Sequence, residues 1–185
     1  MKLDRALAAI DEANAADPNR DGGEPAALLY GRRMSEELGR LFPNAADPLK
    51  IAARGQHIER WIKPRTTYPE GKAGYHSWRR DLARHHAERV GAIMASVGYS
   101  AEEIEAAAKM LRKEGIKRDA DVQALEDVIC FVFLKWYFAP FAAKHADEKV
   151  LDIVQKTARK MSASGRARVL AEFDLPDPLA AAFRD

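Results

Sequence analysis

The chain has 185 residues, a length typical of one domain, and its 30 Lys and Arg residues nearly balance its 28 Asp and Glu residues. A formal net charge of +2 does not favour general nucleic-acid binding or attraction to a membrane surface. The single cysteine, Cys130, excludes an internal disulfide and is typical of a reducing compartment. No uncharged apolar stretch reaches the roughly 18 residues that span a bilayer, and the first residues do not resemble a signal peptide. We therefore expect a cytoplasmic protein.

Apolar residues recur at helical spacing in the first 64 residues and predict three helices. The first ends near Asp17. The second begins at Pro25, because proline suits the first residue of a helix. The third starts with Asp47 as its N-cap, carries His57 near its end and stops before Pro64.

The next segment, residues 63–74, has no periodicity and predicts a loop of roughly ten residues. Such loops are long for a helical domain and are often functional. A long helix is expected from about Tyr75 to Val97, closed by Gly98. Ser100 and Glu103 then have the spacing of a capping box and predict the start of another helix.

The segment from Val122 to Phe138 is almost entirely apolar. Its β-branched and aromatic residues would allow a strand, but the run is too long for one and no second strand is predicted to pair with it. We therefore expect a buried central helix there. Further helices are expected near Asp147–Ser162 and Gly165–Phe173, with a last turn after Pro178. The sequence thus predicts an all-α fold, a compact single-domain bundle of about seven to nine helices over residues 1–185.

Histidines and carboxylates form the first candidate site. His57 falls on one predicted helix, His85 and His86 on the next, and Glu126 and Asp127 on the apolar helix. Imidazoles from two helices and a carboxylate from a third can converge on a divalent metal. The alternative is structural: acidic residues are favoured near a helix N-terminus. In addition, adjacent helical positions point about 100° apart, so one histidine of the pair faces solvent.

A basic and aromatic stretch between positions 54 and 80 forms the second candidate site. It contains only two acidic residues, Glu59 and Glu70. Cationic and planar side chains beside a loop suit a phosphate or carboxylate and a flat ring. The alternative is a solvated face whose aromatic residues pack beneath the loop. The residues expected to contact an anionic small ligand are Arg54, Arg60, Arg65, Tyr68, Lys72, Tyr75, Trp78 and Arg79.

Several segments resemble a bacterial and fungal family known as domain of unknown function 4202. They are residues 54–61 (RGQHIERW), Pro64-Arg65, Tyr68-Pro69, Gly74-Tyr75, Trp78-Arg79, His85-His86 and residues 125–134 (LEDVICFVFL). The resemblance covers nearly the whole chain. It implies no activity, because none is assigned to the family.

A more distant resemblance is to the HD-domain metal-dependent phosphohydrolases. That all-helical family takes a His from one helix, a His-Asp pair from a later helix and an Asp from a still later one. His57, His86 and Asp127 occur in this order, so the resemblance implies an HD-like core. The chain has no His-Asp pair: the local sequence is His85-His86-Ala87-Glu88. Either the two histidines replace the pair, or Glu88 substitutes nearby, or the metal site is degenerate.

The resemblance implies metal-dependent hydrolysis of a small phosphorylated substrate, of which a nucleotide is one case. One divalent metal (manganese, iron, nickel, cobalt or zinc) would lower the pKa of a bound water. Glu126 or Glu88 would orient or deprotonate that water, and the basic residues would hold the phosphate. The expected metal ligands are His57, His85 or His86, and Asp127.

Two other functions fit the same sequence. In the first, the chain is a metal-free module that binds an anionic small ligand, with the histidines hydrogen-bonded to Glu126 and Asp127. In the second, it is a helical interaction scaffold whose exposed C-terminal helix, with Leu179 and Phe183, docks on a partner. The sequence leaves the oligomeric state open, a homo-oligomer included.

Overall fold

The computed structural model describes residues 1–184. By their internal contacts they form two compact units, Met1–Glu114 and Gly115–Asp185. The described residues contain ten α-helices and one hairpin of two-residue strands, so the prediction of an all-α fold is confirmed. The single domain over residues 1–185 and the HD-like core stay predictions.

The first unit contains five helices. They are α1 (Lys2–Ala15), α2 (Ala26–Leu41), α3 (Asp47–Arg54), α4 (Gly71–Ser96) and α5 (Ala101–Leu111), with strands β1 (Arg20–Asp21) and β2 (Glu24–Pro25) between α1 and α2. β1 pairs antiparallel with β2, Arg20 opposite Pro25 and Asp21 opposite Glu24. Helices α3 and α4 both pack on α5, and α2 packs on α1 and α3. The side chains buried completely between them include Ile10, Met34, Ile51, Ile58, Val90 and Met94.

Several helix ends follow the sequence signals. The Ser100 hydroxyl accepts from the Glu103 N–H at 3.2 Å, and the Glu103 carboxylate accepts from the Ser100 N–H at 2.8 Å, which confirms the capping box. Gly98, with φ of 93°, follows α4 as expected. Asp47 is not the N-cap of α3, a position that Ala46 holds. The Asp47 carboxylate instead accepts a hydrogen bond from the Tyr99 hydroxyl at 2.8 Å.

The third and fourth helices differ from the prediction in ways that affect the site. Helix α3 ends at Arg54, so His57 lies in the turn after it and not on the helix. Gly55 packs against α4 there, and a Cβ at this position would lie 2.5 Å from Val90 Cγ2. One short 3-10 turn, Arg60–Ile62, lies in the segment predicted as the third helix, and a second, Arg65–Thr67, lies in the predicted loop. Helix α4 begins at Gly71 rather than Tyr75.

We expect Gly74→Ala to lower the free energy of unfolding by about 1–3 kcal/mol, because a Cβ on Gly74 would overlap the backbone carbonyl of Pro69. The matched control is Gly39→Ala, at an exposed position of α2 where a Cβ meets nothing within 4 Å. That change should raise the stability by about 0.5–1 kcal/mol, since alanine is the better helix former. Urea titrations of both variants measure the difference. If Gly74→Ala left the free energy of unfolding unchanged, the close contact between Gly74 and the Pro69 carbonyl would be contradicted.

The second unit contains the other five helices. They are α6 (Ala120–Val132), α7 (Phe138–Lys144), α8 (Asp147–Lys160), α9 (Ala163–Glu172) and α10 (Asp177–Ala180). Asp119 caps α6 by accepting hydrogen bonds from the N–H groups of Asp121 and Val122. The π-helical segment Phe133–Tyr137 joins α6 to α7, so the apolar run is helical throughout, as predicted.

The structure buries one of the two residues that the scaffold hypothesis places on an exposed C-terminal helix. The 3-10 turn Ala181–Phe183 packs on α8 and α9, and the Phe183 side chain is 2% exposed. The expectation of an exposed Phe183 is therefore wrong, because its ring belongs to the core of the second unit. Across residues 1–184, no helix combines the length and the apolar character needed to cross a membrane.

Candidate functional site

The first unit contains a cavity of about 380 Å³ whose walls are rich in cationic side chains. We call it the cationic cavity. The turn after α3, helix α4 and the end of α5 build it. Its polar lining residues are Gln56, His57, Arg60, Arg79, Arg80, Arg84, His86, Arg112, Lys113 and Glu114. Guanidinium and ammonium groups around a cavity favour an anionic ligand.

His57 contacts an aromatic ring on one side and a cation on the other. Its ring stacks on Tyr30, with 3.7 Å between ring centroids and 10° between planes. Its Nε2 lies 3.2 Å from an Nη of Arg60. Burial, and then the charge of Arg60, lower the pKa of His57 well below its usual value. The imidazole is therefore neutral near pH 7, and its Nε2 accepts from Arg60.

His86 lies on α4, deep in the same cavity and only 5% exposed. Burial, with the nearby imidazole of His85 and the charges of Arg60 and Arg79, lowers the pKa of His86 to about 3. Its Nε2 has no hydrogen-bond partner among residues 1–184, and neither has Oε1 of the buried Gln56. Such atoms are costly to bury unpartnered, so a ligand in the cavity would gain by supplying partners.

His85 points to a different neighbour. Its Nε2 lies 3.5 Å from Glu59 Oε2 without the alignment of a hydrogen bond. Arg89 binds the same carboxylate, with Nε 3.1 Å from each oxygen. Burial lowers the pKa of His85 even though Glu59 opposes the shift. His85 is not among the residues that line the cationic cavity.

Two of the eight expected ligand contacts line the cavity, Arg60 and Arg79. Trp78 supports the first of them: the Arg60 guanidinium lies 5.1 Å from the centre of its ring. The Trp78 indole N–H donates to the Lys63 carbonyl at 2.7 Å, which fixes the ring beneath the loop. Trp78 thus supports one cation of the cavity without itself lining it.

Besides Trp78, five further expected contacts lie outside the cavity lining. Arg54 forms a two-pronged ion pair with Asp11, both N···O distances being 2.7 Å. Arg65 donates to backbone carbonyls of its own loop, and the Tyr68 hydroxyl donates to Asp81. Lys72 is exposed, and Tyr75 is 45% exposed with its ring 5.9 Å from that of Trp78.

Six polar lining residues were not among the predicted site residues. They are Gln56, Arg80, Arg84, Arg112, Lys113 and Glu114. The spacing along α4 could have identified two of them. Arg80 and Arg84 lie four residues apart on this helix, beside the face that carries Arg79 and His86. Arg112 and Lys113 follow the end of α5, and no local pattern connects them to residues some thirty positions earlier.

The carboxylates expected to complete the metal site have other surroundings. Glu88 is exposed on α4, and Glu126 and Asp127 are buried on α6, in the second unit. Asp127 Oδ1 accepts from Gln123 Nε2 at 3.0 Å and from the Ser162 N–H at 2.9 Å. Its Oδ2 accepts from the Ser162 hydroxyl at 2.5 Å. Asp127 thereby holds the N-terminus of α9, whose N-cap is Ser162.

These contacts do not fit a divalent cation bound by His57 and Asp127. The lone pair of His57 Nε2 faces Arg60, and both Asp127 oxygens already accept hydrogen bonds within the second unit. Within residues 1–184, no three His, Cys, Asp or Glu side chains are grouped to hold a metal ion. The ligand set His57, His85, His86 and Asp127 stays a prediction.

Comparison with known families gives one result. The sequence profile described as Domain of unknown function (DUF4202) matches residues 4–182. The chain belongs to this family. No curated protein and no solved structure matches the chain. The DUF4202 match includes every residue of the cationic cavity, and it also contains Glu126 and Asp127.

Proposed function

We propose that this DUF4202 chain binds a small phosphorylated compound in the cationic cavity. The observation that carries the proposal is the composition of the lining: six cations, Arg60, Arg79, Arg80, Arg84, Arg112 and Lys113, against one carboxylate, Glu114. Because the whole chain has a net charge of only +2, this excess of positive charge is concentrated at the cavity. It favours an anion that arginine can bind with two parallel hydrogen bonds, and phosphate has that geometry.

The neutral groups of the cavity support the same proposal. His57 and His86 are uncharged near pH 7 because burial and the surrounding cations lower their pKa values. A bound phosphate would oppose that effect, since its negative charge favours the protonated imidazole. His86 Nε2 is unpartnered, so it can donate to or accept from a ligand group.

Hydrolysis of the bound phosphate ester is the second candidate function. It is the activity implied by the resemblance to HD-domain phosphohydrolases, and the unpartnered Nε2 of His86 beside the arginines favours it. In this function the arginines would stabilise charge on the phosphoryl oxygens, and His86 would move a proton.

We expect p-nitrophenyl phosphate to bind the full chain saturably in the presence of EDTA, and Arg79→Gln to weaken that binding about tenfold, because a charged hydrogen bond is lost. Isothermal titration calorimetry measures the affinity. Arg5→Gln is the matched control: it removes one exposed charge of the same unit from α1, outside the cavity. Equal effects of the two variants, or no saturable binding, would rule out the cavity as the site.

The same samples separate binding from hydrolysis. Added Mn²⁺, Zn²⁺ or Co²⁺ should release nitrophenolate if the chain is a hydrolase, and His86→Gln should abolish the release. Binding without release under every metal condition would establish the metal-free module instead.

A further inference from the structure

The cationic cavity contains more positive charge than a single phosphate group can neutralise, even after its internal ion pairs are considered. Arg112 pairs with Glu105 at 2.6 Å and with Glu114 at 2.7 Å. Arg84 lies 4.0 Å from Asp81. These two arginines are compensated by carboxylates of the first unit and add little net charge for a ligand.

Three arginines remain. Within residues 1–184, neither Arg60 nor Arg79 nor Arg80 has a carboxylate at ion-pair distance. Arg60 is placed between two neutral groups, with His57 Nε2 at 3.2 Å and the Trp78 ring at 5.1 Å. Arg80 has a single weak contact, 3.5 Å to the Ser77 hydroxyl.

These cations repel one another in the free protein. Burial, and after it the charge of Arg79, lowers the pKa of Arg60. An anionic ligand would relieve this repulsion, and the relief grows with ligand charge. A phosphate monoester carries about −1.5 to −2 at pH 7, so it leaves part of the three arginine charges uncompensated. A second, linked phosphate group adds negative charge and acceptor oxygens within reach of the same cluster.

We propose that the ligand of the cationic cavity carries a diphosphate group. This inference rests on the proposed function and narrows it to a substrate class. Arg60, Arg79 and Arg80 bind the two linked phosphates. Gln56 Oε1, an unpartnered acceptor, then requires a hydroxyl or N–H donor, and the organic part of a diphosphate ester can carry one.

The test is a set of calorimetric titrations of the full chain with inorganic phosphate, inorganic pyrophosphate and ADP at one ionic strength. We expect pyrophosphate to bind at least tenfold more tightly than phosphate. Arg79→Gln and Arg80→Gln should each remove most of this preference, and Arg5→Gln should leave it unchanged. Arg80 is exposed, so its substitution is a safe second variant should Arg79→Gln fold poorly.

Each outcome decides one point. If ADP binds more tightly than pyrophosphate, the ligand is an organic diphosphate. If ADP and pyrophosphate bind with equal affinity, the ligand is the inorganic ion. Both results support recognition of a diphosphate group. Equal affinity for phosphate and pyrophosphate, with both weakened by Arg79→Gln, overturns the diphosphate inference and leaves the proposed function standing. If neither arginine variant alters the preference for pyrophosphate over phosphate, the anion binds elsewhere, and the diphosphate inference is overturned too. No binding of any of the three anions overturns the inference and the proposed function together.

Discussion

Asp127→Ala is expected to lower the free energy of unfolding by about 3 kcal/mol, one of the largest effects of any substitution discussed for this chain. The carboxylate is 4% exposed and accepts three hydrogen bonds, one from Gln123 and two from Ser162. Its removal leaves the Ser162 N–H and hydroxyl at the start of α9 without their acceptor. A half-buried donor that loses a charged partner adds a large part of its desolvation cost.

Urea denaturation followed by circular dichroism at pH 7 measures this loss. Asp121→Ala is the control, since Asp121 is an exposed carboxylate in the first turn of the same helix and should cost no more than about 1 kcal/mol. Equal losses in the two variants would show that the Asp127 hydrogen bonds are not structural. A metal-ligand role makes a different prediction: EDTA would then destabilise the wild type by the amount that Asp127→Ala does.

Acid is expected to destabilise the fold through His86. The unfolded chain binds a proton at this imidazole near pH 6.5, whereas burial lowers the pKa of His86 to about 3 in the folded chain. Between these values the unfolded state binds more protons, so stability falls as the pH falls below about 6.5. From pH 7 to pH 4.5, His86 alone should contribute a loss of roughly 2–3 kcal/mol, at about 1.36 kcal/mol per pKa unit.

The measurement compares His86→Gln with the wild type by urea denaturation at pH 7 and at pH 4.5. The variant should lose roughly 2–3 kcal/mol less than the wild type between these pH values, as one titrating group is absent. Carboxylates titrate in both proteins, and their contribution cancels in the difference. His76→Gln, at an exposed histidine of α4, should behave as the wild type. The same pH dependence in all three proteins would contradict the low pKa of His86.

Local chemistry explains why much of the fold was predictable. The capping box at Ser100 and the glycine after α4 depend on residues within a few positions of one another, and the structure confirms both. The apolar run after Val122 could be recognised as helical because its length exceeded that of a strand. The early end of α3 was not visible, since it depends on the tight packing of Gly55 on Val90, a residue of another helix.

The candidate site was predictable only in part, for a related reason. His57, Arg60 and Arg79 belong to the basic stretch between positions 54 and 80, and His86 follows it closely. The structure brings all four to one cavity. Arg112 and Lys113 join them through the packing of α5 on α4, which no periodicity in either helix specifies. The sequence also does not show which arginines pair with a carboxylate. Arg54 forms an ion pair with Asp11 of α1, whereas Arg79 has no carboxylate at ion-pair distance in the described part of the chain.

The loop before α4 bears on how quickly a ligand reaches the cavity. Arg65 holds the carbonyls of Tyr68, Pro69 and Gly71, and the Trp78 indole holds that of Lys63. Ordering a flexible backbone costs about 1–2 kcal/mol per residue in conformational entropy. The loop before α4 is already ordered in the folded chain, so ligand binding does not have to order it. The loop and the Trp78 ring beneath Arg60 are therefore held in place before any ligand arrives. Association at this cavity should be limited by diffusion and electrostatic steering, with no slow step of loop closure.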